Sequence, residues 1–274
     1  MSTKTPALLE LRKAVRIWFE KLEPNSKVCI GVSGGADSLA LAAASKLESA
    51  NFPIDVIAVI VDHGLQDNSA EIAQFAKQQL TKLGYEDVFI GRANVQITDG
   101  LEASARRARY RVFQQAIETF SPVAFMLGHT KNDQAEGVLL GLARGSGTKS
   151  LSGMQEVSGI FIRPLLGIDR TTTEIACSEA GIEFWNDPHN SNHDFTRVRV
   201  RENILPLLEN EIGPGIADAL ARSARILRED ATALDEWAEK VFAQVDPMDI
   251  EISTLESLPV AVRSRVLRLA IYAA

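Results

Sequence analysis

The sequence predicts an α/β protein, a doubly wound and mostly parallel sheet with helices on both faces, followed by a small helical domain. Apolar runs rich in valine and isoleucine alternate with helical patterns through residues 27–143, which is typical of a sheet built from strand–helix units. Beyond about residue 205 only the helical periodicity continues. We therefore expect a main domain over residues 1–205 and a helical domain over 206–274.

Each element follows from a local pattern. The N-terminal segment places charged residues between apolar ones at helical spacing, which predicts an amphipathic helix rather than a signal peptide. Four buried-strand runs are expected at 27–33, 54–61, 87–91 and 122–129. Helices are expected at 38–50, 69–83, 102–119, 132–143, 216–245 and 259–272.

Composition and charge limit the function classes. Hydrophobic residues make up 46% and charged residues 24% of the 274, and no apolar run reaches the roughly 18 residues of a membrane helix. The two cysteines, Cys29 and Cys177, are too far apart to form a metal-binding pair, which argues against zinc and iron–sulfur sites. Few cysteines and no signal peptide favour the cytoplasm. The net charge of -7 suits a nucleic-acid binder only if basic residues cluster locally.

A glycine-rich loop lies between the first predicted strand and the helix that follows. It reads Ser-Gly-Gly-Ala-Asp-Ser over residues 33–38. Glycines let the backbone approach an anion, and the helix presents free N–H groups to phosphate oxygens. Asp37 would repel phosphate unless a cation lay between them, which implies Mg²⁺. The alternative is a plain helix-capping turn with Asp37 as an ordinary first-turn acid.

Further polar residues follow the second strand and lie on the helix predicted over 102–119. Asp62 and His63 end that strand, where sheets of this class bind ligands, although Asp62 could simply cap the next helix. Arg106 and Arg109 are three residues apart and share a helical face that suits a phosphate or a developing negative charge. A solvated charged face is the alternative.

The fourth strand ends at a histidine that is followed by an acidic helix. His129 closes the strand, and Asp133 and Glu136 share one face of the next helix. Two carboxylates at a ligand crevice suit an ammonium group or a metal, while the alternative is that they only stabilise the helix N-terminus. Later in the chain Arg197, Arg199 and Arg201 form a basic cluster that suits phosphate backbone or, again, a solvated face.

Nine motifs in fixed order make the pattern specific. They are SGGxDS, DHGL, ExxARxxRY, GHxxxDQAE, RGSG, LxGM, RPLL, WxDPxN and RxxxRxxILP, and they extend over residues 27–206. The first resembles the pyrophosphatase loop (PP-loop) of the N-type ATP pyrophosphatases, a superfamily with the adenine nucleotide alpha hydrolase-like fold. The ordered set resembles the bacterial tRNA(Ile)-lysidine synthases.

The resemblance implies an ATP-dependent carbon–nitrogen ligase of the cytoplasm. Members adenylate C2 of the anticodon wobble cytidine of a tRNA(Ile) with a CAU anticodon; the ε-amine of L-lysine then displaces AMP. The ATP-binding residues implied are Ser33, Gly34, Gly35, Ala36, Asp37, Ser38, Asp62 and His63, with Asp37 also at Mg²⁺. The catalytic residues implied are Asp37, Arg109 and His129, and the lysine-binding residues are Asp133 and Glu136. Arg197, Arg199 and Arg201 are expected to bind tRNA, as is the helical domain over 206–274.

Two departures from the family pattern accompany the resemblance. Asn132 stands where many members carry an acid, which puts lysine or metal binding in doubt, and Gly137 stands where threonine is common. The apolar pattern still runs at Ala274, so the helical domain either ends there or is cut short. The alternatives are a PP-loop tRNA thiolase and a nucleotide-binding module without catalysis; a homodimer stays open.

Overall fold

The computed structural model describes residues 6–62, 64, 69–93, 101–186 and 193–273, and only the backbone of residues 101 and 102. The first part of the chain alternates strands and helices: α1 Pro6–Phe19, β1 Lys27–Val32, α2 Ala36–Ser49, β2 Asp55–Asp62, α3 Ser69–Lys82, β3 Val88–Arg92, α4 Leu101–Phe120, β4 Ala124–Leu127 and α5 Lys131–Ala143. The middle holds α6 Thr148–Leu151, β5 Val157–Ser158, β6 Phe161–Ile162 and α7 Arg170–Glu179. The remainder is helical: α8 Thr196–Arg199, a π-helical turn Val200–Ile204, α9 Leu205–Glu211, α10 Ile216–Phe242, α11 Ile252–Ser257 and α12 Val260–Ala273.

The sheet has the strand order β3-β2-β1-β4-β6-β5. Neighbouring strands run parallel, apart from β5, which pairs antiparallel with β6. The chain leaves β1 towards β2 on one side and later returns to place β4 on the other side. The carboxyl ends of β1 and β4 therefore flank a topological switch point, where α/β sheets of this type bind their ligands.

Strand alternation divides the core into two hydrophobic layers. Val28, Ile30 and Val32 of β1 pack with the buried side chains of α1, α2, α3 and α7. Cys29 points to the opposite face, where α4 and a group of phenylalanines cover the sheet. Because successive side chains of a strand point to opposite faces, a wholly apolar strand needs cover on both sides. This confirms the predicted α/β class.

A buried acid attaches the N-terminal helix to α2. Glu48 is completely buried and accepts hydrogen bonds from Arg12 at 2.5 Å and Arg16 at 2.9 Å. Both arginines lie on α1, one helical turn apart. The two guanidiniums lower the pKa of Glu48, although its burial opposes that shift. The carboxylate thus stays ionised between its partners.

The described structure divides into two compact units. One comprises residues up to Glu136 together with 155–217, and the other combines 137–154 with 218–274. In the second unit Ala238, Val262 and Val266 form a core between α10 and α12. Arg228 of α10 donates to the carbonyl oxygens of Ser152 and Met154, which attaches the short inserted segment to this unit. Among the described residues no helix is long and apolar enough to cross a membrane.

The predicted strands and helices are present, with ends shifted by a few residues. Helices α6, α7, α8, α9 and α11 and the short strands β5 and β6 were not predicted. In α7 three threonines follow the first residue, Arg170. Their branched side chains are poor helix formers and obscure the apolar periodicity of the rest of the helix. Strands β5 and β6 have two residues each, too few for an alternation of apolar and polar residues to be recognised.

Candidate active site

A cavity of about 640 Å³ opens at the switch point between β1 and β4. Residues from the loop after β1, from the segment after β4 and from helices α4, α5 and α7 line it. Such a volume falls in the usual range for small-molecule sites. The predicted residues on its wall are Ser33, Gly35, Ala36, Asp37, Ser38, Arg106, Arg109, His129, Asp133, Arg197 and Arg201.

Hydrogen bonds of the Ser38 side chain hold the glycine-rich loop together. The hydroxyl of Ser38 accepts a hydrogen bond from the backbone N–H of Ser33 at 3.1 Å and donates to the carbonyl of Gly35 at 3.0 Å. Gly34 adopts φ +87°, a left-handed conformation that favours glycine. No side chain caps the N-terminus of α2, which begins at Ala36. The loop therefore leaves the first N–H groups of α2 available to an anion.

Both carboxylate oxygens of Asp37 are held by α7. Thr173 donates to Oδ1 at 2.5 Å, and Arg170 donates to Oδ2 from its Nε at 3.2 Å. Burial raises the pKa of Asp37, and its acidic neighbour Asp133 adds to the rise, whereas Arg170 and Thr173 oppose it. Arg170 and Thr173 thus offset part of the cost of burying this carboxylate, and a cationic ligand would offset more of it.

A cluster of acids and arginines lies next to Asp37. Glu136 is fully buried and accepts hydrogen bonds from Nε of Arg197 at 2.8 Å and from Nε of Arg201 at 2.7 Å. Oδ2 of Asp133 accepts from the N–H and hydroxyl of Thr130 at 2.8 and 3.0 Å. Although burial opposes it, Arg170 and the Thr130 N–H lower the pKa of Asp133. Asp133 is thus ionised, and both acids already have cationic partners.

The opposite wall is cationic. Arg109 is exposed towards the cavity, yet the surrounding protein desolvates it enough to lower its pKa, and Arg106 lowers it further. Burial, reinforced by Arg163 and Arg197 and opposed by Asp133, lowers the pKa of His129 to about 4. The imidazole is therefore neutral at pH 7, and the positive charge at this wall comes from guanidinium groups. Cations crowded in this way favour an anionic ligand.

Some predicted residues lie elsewhere. Asp62 accepts a hydrogen bond from the N–H of Gly64 at 3.0 Å, which is the contact of an ordinary turn. Its neighbour Val61 lines the cavity, and Asp62 does not. His63 lies outside the described residues. Arg199 donates to the backbone carbonyl oxygens of His193 and Asp194, away from the cluster that Arg197 and Arg201 form with Glu136. The helical segment 196–204 therefore directs Arg199 away from Arg197 and Arg201, with which the sequence groups it.

Several wall residues were not predicted. Arg170 comes from α7, and Phe184, Trp185 and Asn186 come from the segment that follows it. Thr173 of α7 does not line the cavity but binds Asp37. The N–H of Trp185 donates to the carbonyl of Gly34 at 2.9 Å, which places the tryptophan directly against the phosphate loop. Asp169, the N-cap residue of α7, was the available sequence signal for this helix.

The family departure at Asn132 has a structural explanation. Its side-chain oxygen accepts a hydrogen bond from the backbone N–H of Arg170 at 2.9 Å. One residue earlier, Lys131 pairs with Asp169 at 2.9 Å. Asn132 thus links the start of α5 to the start of α7, a contact that an uncharged amide makes as well as a carboxylate does.

The carboxylates present suit Mg²⁺ only when phosphates share its coordination. No group of three or more His, Cys, Asp or Glu side chains within the described ranges could hold a metal ion. Mg²⁺ is commonly held by one or two carboxylates together with substrate phosphates. Asp37 at the entrance of α2 fits that kind of site.

Comparison with known proteins agrees with this geometry. The sequence model of the PP-loop domain matches residues 8–208. The tRNA(Ile)-lysidine synthase of Rhodococcus erythropolis is 49% identical over 97% of this chain and 80% of its own length. That of Thermobifida fusca is 44% identical over 98% of this chain and 83% of its own length. The U34-tRNA thiolase NcsA from Methanococcus maripaludis shares the fold, with a TM-score of 0.67 at 19% identity over 81% of this chain and 80% of its own. The chain therefore belongs to the tRNA(Ile)-lysidine synthase family, which is built on the PP-loop domain.

Proposed function

We propose that this chain is a tRNA(Ile)-lysidine synthase acting in the cytoplasm. It transfers AMP from ATP to the C2 oxygen of the wobble cytidine of a tRNA(Ile) with a CAU anticodon, releasing pyrophosphate. The ε-amine of lysine then forms a bond to C2, and AMP leaves with that oxygen. The observation that carries the proposal is that one cavity joins an uncapped phosphate loop to Asp133, one of two buried acids on α5, in a chain 49% identical to one such enzyme.

The phosphate loop supplies the ATP half of the site. The N–H groups at the start of α2 and the hydroxyls of Ser33 and Ser38 suit the outer phosphates. Bound Mg²⁺ would neutralise phosphate charge, and Asp37 would hold it. Arg106 and Arg109 stabilise negative charge that develops as the adenylate forms. His129 acts as a neutral hydrogen-bonding group because its lowered pKa leaves the imidazole uncharged at pH 7.

The acidic pair supplies the lysine half. Asp133 and Glu136 lie one helical turn apart on α5 and are buried, so an ammonium group would gain a strong interaction there. Each acid is already paired with arginine, so lysine must displace a guanidinium. Arg197 and Arg201 remain proposed contacts for tRNA phosphate, and in this structure their Nε groups bind Glu136.

A thiolase activity is less well supported. Thiolation needs reactive cysteines or a cluster held by them, and the chain has only two cysteines. Both are buried, and desolvation raises the pKa of each to about 12. Cys177 lies beside the loop, but its thiol donates to the carbonyl of Ala36 rather than facing a substrate.

The direct test is lysine incorporation. Purified chain, ATP, Mg²⁺ and radiolabelled lysine are incubated with the CAU-anticodon tRNA(Ile), and with the same tRNA carrying adenosine at the wobble position. We expect label only in the first tRNA, with one pyrophosphate released per lysine joined. Absence of label in intact cognate tRNA would reject the proposal, and a Cys29→Ala/Cys177→Ala double variant that loses activity while staying folded would restore the thiolase alternative.

A further inference from the structure

One guanidinium is shared between the two halves of the site. Arg170 contacts Asp37 through Nε at 3.2 Å, Asp133 through Nη2 at 3.3 Å and Glu136 through Nη1 at 3.7 Å. Its backbone is fixed by the hydrogen bond to Asn132. The base of the side chain is therefore anchored, while its charged end is divided among three carboxylates.

The other two arginines of the cluster are held more tightly. Arg197 and Arg201 bind Glu136 at 2.8 and 2.7 Å, whereas the contact of Arg170 with the same residue is 3.7 Å. Hydrogen bonds to an ionised partner are normally about 2.7–2.9 Å long. By that measure Arg170 is the guanidinium that leaves Glu136 most easily.

Asp133 has one oxygen left for an incoming cation. Its Oδ2 is occupied by the two hydrogen bonds from Thr130. Its Oδ1 lies 3.3 Å from Arg170, 3.6 Å from Arg197 and 3.8 Å from Arg201. An ammonium group that binds Oδ1 must therefore displace Arg170 first.

We propose that Arg170 is a positioning residue that makes lysine binding depend on bound ATP, an inference that rests on the proposed function. Without nucleotide its charge blocks Oδ1 of Asp133 and balances the acids. The phosphates of ATP, bound beside Asp37, offer the guanidinium a stronger anionic partner. Arg170 then turns towards them, and Asp133 is freed for lysine. Linkage requires that lysine strengthens ATP binding by the same factor.

The test measures lysine binding by isothermal titration calorimetry, with and without the uncleavable α,β-methylene analogue of ATP. For the unchanged chain we expect the analogue to tighten lysine binding about 5- to 150-fold, the usual range of such coupling. Arg170→Met should bind lysine more tightly than the unchanged chain when no nucleotide is present, and the analogue should add little. Should Arg170→Met not fold, Arg170→Lys, which cannot bridge the carboxylates, serves for the same comparison.

Two further threonine variants on α7 separate coupling from structural damage. Thr171 is exposed, so Thr171→Val should keep the full effect of the analogue. Thr173→Val keeps the guanidinium of Arg170 but loses the hydrogen bonds to Asp37 and to the Arg170 carbonyl, so it should weaken analogue binding. A merely structural role for Arg170 would weaken lysine binding in every condition.

The proposal is overturned if, in the absence of nucleotide, Arg170→Met binds lysine no more tightly than the unchanged chain does. The same holds if neither protein binds lysine detectably. Lysidine formation by the unchanged chain is measured on the same preparation. If the unchanged chain forms lysidine but the variant does not bind lysine more tightly, only the proposed role of Arg170 is rejected. Absence of lysidine formation rejects the proposed function.

Discussion

Gly128 packs so closely against the backbone of the phosphate loop that no side chain fits there. A Cβ atom there would lie 2.8 Å from the carbonyl oxygen of Asp37 and 3.0 Å from the Cα atom of Ser38. These atoms belong to the first turn of α2, so no flexible side chain can move aside. Gly128→Ala must therefore push the end of β4 and the start of α2 apart.

The expected cost follows from that displacement. Overpacking of this kind destabilises a protein by about 1–3 kcal/mol, and we expect about 2 kcal/mol for Gly128→Ala. A misplacement of 1 Å in an active site costs up to about 100-fold in rate. A shift of roughly half that size at the phosphate-binding turn should lower kcat/KM for ATP about tenfold.

Gly137→Ala is the matched control. Gly137 lies within α5, and a Cβ atom there would meet nothing within 4 Å. Alanine in a helix interior is about 0.5–1 kcal/mol more favourable than glycine, so this variant should be slightly more stable and keep its ATP kinetics. The assays are urea unfolding followed by circular dichroism and tRNA-dependent pyrophosphate release over a range of ATP concentrations. Equal stability and kcat/KM in Gly128→Ala and the unchanged chain would refute the reasoning.

Three other predictions concern single ionisable residues. Asp37→Ala should abolish pyrophosphate release while the circular dichroism spectrum is retained; normal turnover would remove Asp37 from the Mg²⁺ site. Because the pKa of His129 is about 4 in the folded chain and about 6.5 when unfolded, stability is lost as the pH falls from 6.5 to 4, by up to about 3 kcal/mol. His129→Asn should flatten that pH dependence in urea unfolding, and an unaltered slope would contradict the assignment. Glu48→Ala should lower the unfolding free energy by about 2–3 kcal/mol, less than for a fully buried pair because Arg16 is 40% exposed; a thermal midpoint equal to that of the unchanged chain would disprove it.

The charge balance around Glu136 shows why a sequence motif alone is an incomplete description of a site. Two acids on one helical face predict a cation site; Asp133 lines the cavity, whereas Glu136 is completely buried and does not line it. The structure adds that three guanidiniums already occupy them, from Arg170, Arg197 and Arg201. Under the proposed function the acids would exchange one cation for another on binding lysine, which differs energetically from filling an empty acidic pocket.

The sequence by itself determined the class of sheet, the phosphate loop and the family. Those depend on local patterns: the apolar strand before Ser33, the glycines after it, and the order of motifs along the chain. Helix α7 was not predicted because its three threonines mask the apolar periodicity of the helix. The grouping of Arg199 with Arg197 and Arg201 assumed a common surface that the helical turn does not provide.

Only the tertiary structure decided which charges meet. Asp37 and Thr173 are separated by 136 positions, and Arg197 and Glu136 by 61, yet each pair is joined by a hydrogen bond. Such contacts arise from the crossover that places β4 beside β1 and from the packing of α7 against α2, and neither leaves a local pattern in the chain. Local sequence fixes which chemical groups are present, whereas their pairing depends on long-range packing.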